Sequence, residues 1–137
     1  MDPTIELSLR IDWSEMDLYG HVNNVAYFKY IQAARVNFWE QVGIIKSYEQ
    51  SKVGPILLSA SCNFIKPLFY PGNIIISTTV EFLKNTSFGL RHRIFNEQKD
   101  LAADAQDVIV YFDFNKNEKV HIAGELRNRL ATMAPAK

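Results

Sequence analysis

Asp17, Gly20, His21, Asn23 and Asn24 fall together in "DLYGHVNN", just ahead of the apolar run "VAYFKYIQAARVNFWEQV". An Asn before such a run caps a helix, its side chain accepting from an unpaired first-turn N–H. Neither Asn is followed by Glu or Gln at the capping-box offset, so a simple cap at Asn23 is expected. Gly20 supplies a tight turn. Asp17 stands upstream of the cap, where the glycine turn could fold it back over the helix start. Unpaired amides and the positive end of the helix dipole stabilise an anion there, and equally a developing oxyanion on a carbonyl substrate. A carboxylate and backbone donors facing one space are two parts of an acyl-transfer site. The plainer alternative is that Asp17 and Glu15 only complement the dipole at the surface. His21 has no second His or Cys at ligand spacing, and His92 and His121 are distant in sequence, so no metal site is expected. It reads as a cap-loop histidine that bonds backbone. No G-x-S-x-G elbow, P-loop or dinucleotide fingerprint occurs.

The elements that must hold these groups can be read from periodicity. Residues 4 to 12 alternate, with Ile5, Leu7, Leu9 and Ile11 on one side: a strand with one wet face. Residues 25 to 42 lack Gly and Pro and form a helix whose wet stripe is Lys29, Gln32 and Glu40, so protein should surround most of it. Gly43 is a fitting stop. A short helical or irregular segment follows, then four strands at 56–66, 74–83, 87–96 and 102–114. Phe88, Leu90, His92 and Ile94 share one face of the third of these, and Phe82 continues the Ile74–Val80 face of the second. Their connections are too short for parallel crossovers, so neighbours run antiparallel. The tail forms one more helix from about 122 to 132, before Pro135. The expectation is an α+β fold, a five-stranded antiparallel sheet wrapped around one long central helix, as a single domain over 1–137. An edge strand and part of one face stay open, which a second copy would cover. A homodimer is expected, and a tetramer built from it.

Fifteen Lys and Arg balance fifteen Asp and Glu, so there is no global field for nucleic acid or an anionic membrane. Cys62 is the single cysteine, which excludes an internal disulfide. The start, "MDPTIELSLRIDW", is acidic and alternating, unlike a signal peptide, and no apolar stretch is long enough to span a bilayer. A soluble cytoplasmic protein is expected.

The stretch "RIDWSEMDLYGHVNNVAYFKYIQAAR" closely resembles the hotdog-fold acyl-CoA thioesterases of the 4-hydroxybenzoyl-CoA thioesterase-like branch. Their signature D-x-x-G-H-V-N-N, followed by a helical Tyr and an Ala-Arg pair, is matched by Asp17, Gly20, His21, Val22, Asn23, Asn24, Tyr27, Ala34 and Arg35. "FLKNTSFGLRHRI" resembles the family's strand-turn-strand, with Thr86 and Ser87 as the hydroxyl residues of the turn. Many relatives carry a Glu before the Ala-Arg pair, where this chain has Gln32.

The resemblance implies hydrolysis of an acyl-CoA, or an acyl carrier protein thioester, without a cofactor. Asp17 would be nucleophile or general base, and the N–H of Asn24 the oxyanion donor. His21, Tyr27 and Phe28 would line the substrate site, Thr86 and Ser87 would bond the pantetheine or position water, and Lys66, Lys84, Arg91 and Arg93 could meet the CoA phosphates. An aromatic or medium-chain acyl group suits the aromatic lining. Two other classes stand beside this one: a non-catalytic module binding acyl-CoA or acyl carrier protein, and a hotdog hydratase or dehydratase.

Overall fold

The structure is a computed structural model and describes residues 4–134; the expected helix break at Pro135 and the acidic first residues 1–3 lie outside them. The order is β1 (Ile5–Arg10), a 3-10 turn (Trp13–Glu15), α1 (Asn24–Val42), α2 (Ile44–Ser51), β2 (Val53–Phe64), β3 (Asn73–Leu83), β4 (Ser87–Phe95), β5 (Leu101–Asp113), β6 (Glu118–Lys119) and α3 (Gly124–Met133). The strands form one antiparallel sheet in the order β1-β3-β4-β5-β2, with the two-residue β6 added to the end of β5. This is the α+β architecture expected, with β6 as a sixth, minor strand. β2 begins three residues before the expected strand. The segment after Gly43 is helical.

One face of the sheet packs on α1. Ile74, Ile76, Thr78 and Val80 of β3 and Phe88, Leu90, His92 and Ile94 of β4 all point inward, as their alternation requires. In β5 the inward set is Ala103, Ala105, Asp107 and Ile109. Phe82 departs from its expected face. A bulge after Val80 shifts the β3–β4 register, and Phe82 turns over the flat surface of Gly89, where a Cβ would lie only 2.2 Å from the ring. Two apolar clusters result. One, at the start of α1, gathers Ile11, Val22, Tyr27, Tyr30 and Ile31; the other, at its end, gathers Phe38, Trp39, Phe88, Ile122 and Leu130.

Asn23 caps α1, its Oδ1 accepting the Ala26 N–H at 2.9 Å, and Gly43 ends it in the left-handed conformation with φ 81°. The helix is less enclosed than its composition suggests. Val25, Phe28 and Val36 lie open with Lys29, Gln32 and Glu40, because the sheet covers only one side of the helix. The second open region is the β2 edge, where Leu58 is 65% exposed and Leu57, Phe64 and Ile65 are exposed beside it.

Candidate active site

The loop between the 3-10 turn and α1 folds back on itself. Met16 pairs with Val22, the Asp17 N–H donates to the His21 carbonyl at 2.7 Å, and Gly20 takes φ 80°, a conformation glycine adopts without penalty. Asp17 therefore returns toward the helix start. Its Oδ1 accepts the N–H groups of Tyr19 at 2.8 Å and His21 at 3.0 Å. Among the described residues, Oδ2 receives no hydrogen bond. The carboxylate is thus held through one oxygen. Asn24 is the first residue of α1, so its N–H has no partner within the helix.

Asp17, His21, Val22, Asn24, Tyr27, Phe64, Ile65, Lys66 and Pro67 line one open cleft of about 430 Å³. Among the described residues the cap-loop histidine does not bond backbone through its side chain: its main-chain N–H and carbonyl bond Asp17, while its ring meets Phe69 edge-on at 5.2 Å. Tyr27 is buried; its hydroxyl donates to the Lys66 carbonyl at 3.2 Å and its ring packs edge-on against Phe64 at 5.0 Å. Burial raises its pKa, so it stays a neutral donor. Cys62 offers no competing nucleophile: burial pushes its thiol up to about 11. Among the described residues no three His, Cys, Asp or Glu side chains gather to hold a metal.

Other expected site residues lie elsewhere in the chain. Phe28 points outward beside the cleft and meets Phe64 at 6.4 Å. Thr86 ends the β3–β4 turn and Ser87 opens β4, level with Val110 and Tyr111 of β5 and next to the cluster at the far end of α1. The helix between the two ends has 19 residues and is about 28 Å long. Of the four proposed CoA cations only Lys66 borders the cleft, and it pairs with Asp100 at 3.1 Å. Arg91 is engaged by Asp104 through both oxygens, at 3.0 and 2.6 Å. Lys84 lies over the Phe82 ring, and Arg93 is exposed next to Asp104 in the ladder.

Two polar groups were not singled out by their spacing. Glu15 is not a surface complement to the dipole but is 7% exposed beneath the loop. Arg35, Asp107, His92 and Thr78 form a chain across α1, β5, β4 and β3. Arg35 holds Asp107 by two hydrogen bonds, His92 Nε2 lies 2.6 Å from Asp107 Oδ2, and Thr78 Oγ1 lies 2.8 Å from His92 Nδ1. The order resembles a hydrolytic relay, but Thr78 and His92 are buried beneath the helix, out of reach of a substrate carbonyl. This network joins helix to sheet. The placement of His92 on an otherwise apolar face was its one signal in the sequence.

The fold agrees with that of similar proteins. A sequence profile of the thioesterase-like superfamily matches residues 11–130. The long-chain acyl-CoA thioesterase FadM of Escherichia coli is 22% identical over 94% of this chain and 98% of its own. Among solved structures, the PA5185 protein of Pseudomonas aeruginosa is 28% identical, covers 95% of this chain and 91% of its own, and superposes with a TM-score of 0.83. The 1,4-dihydroxy-2-naphthoyl-CoA thioesterase Slr0204 of Synechocystis shares the fold at a TM-score of 0.81 and 15% identity, over 93% of this chain and 96% of its own. A profile match that runs from Ile11 to Leu130, nearly the whole chain, makes this protein a member of the thioesterase-like superfamily.

Proposed function

We propose that this acyl-CoA thioester hydrolase takes an aromatic or medium-chain acyl group and uses Asp17 as its catalytic carboxylate. The observation that carries the reading is the cleft onto which both Asp17 and Asn24 open. The thioester carbonyl oxygen accepts the Asn24 N–H at the positive end of α1, which favours the negative charge that grows on that oxygen. Asp17 either attacks the carbonyl carbon, forming an acyl-aspartyl anhydride that water then hydrolyses to restore the carboxylate, or takes the proton from a water that attacks directly. In both cases the carbon–sulfur bond breaks, the thiolate leaves as the free thiol after protonation, and water supplies the oxygen and hydrogen of the acid. Tyr27, Phe64 and Ile65 give the acyl group an apolar wall, and Lys66 stands at the rim for the carrier end.

The working unit is proposed to be a homodimer paired along β2. A two-fold there runs the second β2 antiparallel to the first and turns the Thr86–Ser87 end of one sheet toward the Asp17 end of the other. That arrangement would bring the hydroxyl residues of the turn within range of a substrate that a single chain keeps from them.

Free-thiol release from a panel of acyl-CoA and acyl carrier protein thioesters tests the reading. Release is expected for benzoyl, phenylacetyl or medium-chain acyl-CoA, and Asp17→Asn should lower turnover at least about a hundredfold with the fold intact. Normal turnover by that variant refutes the role of Asp17. Binding without release would favour the non-catalytic module, and a change in enoyl absorbance the hydratase.

A further inference from the structure

Glu15, a buried acid that the proposed mechanism leaves unused, lies beneath the loop that carries Asp17. Glu15 Oε1 accepts the Tyr30 hydroxyl at 2.6 Å and the Asp12 N–H at 2.8 Å, and Oε2 accepts Lys29 Nζ at 3.2 Å. Its backbone carbonyl accepts both the N–H and the side-chain Nδ2 of Asn23, each at 2.9 Å. One residue therefore grips both ends of the loop and the second turn of α1. The hydroxyl and the ammonium come from adjacent helix positions, so the carboxylate cannot shift along the helix without losing one of them.

Resting on the reading of Asp17 given above, we infer that Glu15 is a positioning residue, which fixes the Asp17 carboxylate relative to the Asn24 amide. Asp17 lies two residues after Glu15, and Asn24 follows the Asn23 that Glu15 binds. The two reacting groups thus hang from the same anchor on its two sides. Catalytic groups act only when held within about 0.5 Å of productive geometry, and a misplacement of about 1 Å can cost a hundredfold in rate. The Asp12 bond is the capping box of the 3-10 turn and the two to Asn23 are made by the main-chain carbonyl; the bonds to Tyr30 and Lys29 are the ones an ordinary cap or surface acid would not need.

The decisive experiment measures kcat and KM for the best acyl-CoA of the panel, well below the melting transition of each variant. Glu15→Ala is expected to lose about ten- to a hundredfold in kcat while KM changes by less than about threefold. Glu15→Gln, which keeps an acceptor for Tyr30 and Asp12, should recover a large part of that loss. Tyr30→Phe should lose a smaller factor, and combining it with Glu15→Ala should add nothing further. Leu130→Ala, in the distant cluster of α3, lowers Tm and leaves kcat unchanged if stability alone is not the cause. Wild-type kcat in folded Glu15→Ala overturns the inference. Should that variant not fold, wild-type kcat in Tyr30→Phe overturns it instead. If Asp17→Asn is inactive and the Glu15 variants are normal, only the positioning role falls. If Asp17→Asn is fully active, both fall together.

Discussion

Arg35 on α1 grips Asp107 on β5 as a fork, Nε to Oδ2 at 2.9 Å and Nη2 to Oδ1 at 3.1 Å. Both side chains are shielded from solvent, and Asp107 completes its bonding through His92. A buried carboxylate left without its cation is costly, more so than a pair replaced whole. Arg35→Ala should therefore destabilise the fold by about 3–5 kcal/mol, and Arg35→Lys, which keeps the charge but not the fork, by less. Urea denaturation measures both; a loss below about 1 kcal/mol in Arg35→Ala would mean the pair adds little.

Acid should unfold the protein through the same groups. Burial works to raise the Asp107 pKa, but the hydrogen bonds from His92 and Arg35 outweigh it and hold the carboxyl below its ordinary value. Burial of Glu15 is likewise outweighed by Tyr30, the Asp12 amide and Lys29. With folded pKa values depressed, the unfolded chain takes protons first as pH falls. The stabilisation is whole above the ordinary carboxylate pKa, about 4, and is lost as pH drops through the folded values. The urea midpoint should hold from pH 7 to about 5 and fall below about 4, and Asp107→Asn should make that fall shallower.

Gly89 lies against the Phe82 ring, with 2.2 and 2.4 Å separating a Cβ there from Cε2 and Cδ2. Gly89→Ala must displace the ring and is expected to cost about 1–3 kcal/mol. In a Phe82→Ala background the same change should cost almost nothing. Equal costs in the two backgrounds, by thermal or urea melts, would place the strain elsewhere.

The free β2 edge and its exposed Leu57, Leu58 and Phe64 call for a partner strand. Light scattering at micromolar concentration should give at least twice the chain mass. Leu58→Asp, which puts a carboxylate of each copy at that edge, should reduce it toward the monomer and lower thiol release with it. A monomeric wild-type mass would refute the dimer.

Much of the helix start was legible because its chemistry is local. The Asn23 cap, the Gly20 turn and the Gly43 stop each depend on residues within a few positions, and each has the predicted form. Alternation also identified the inward faces of β3 and β4, since a strand shows its two sides by turns. It failed at Phe82, where a bulge reverses the sides and periodicity carries no sign of it. Glu15 read as a surface acid because its partners Lys29 and Tyr30 lie fourteen and fifteen positions away.

The sequence by itself determined the elements, the helix cap and the loop that carries Asp17, all set by short-range sterics and hydrogen bonding. Only the tertiary structure decided the strand order, with β1 and β2 at opposite edges, because pairing depends on contacts between distant segments. It also decided which polar groups are buried. Arg35 meets Asp107 across 72 positions, and no local pattern reports the desolvation that makes such a pair matter. The cleft follows the same rule: Asp17 and Asn24 come from the loop, but Phe64 and Lys66 reach it from the far edge of the sheet.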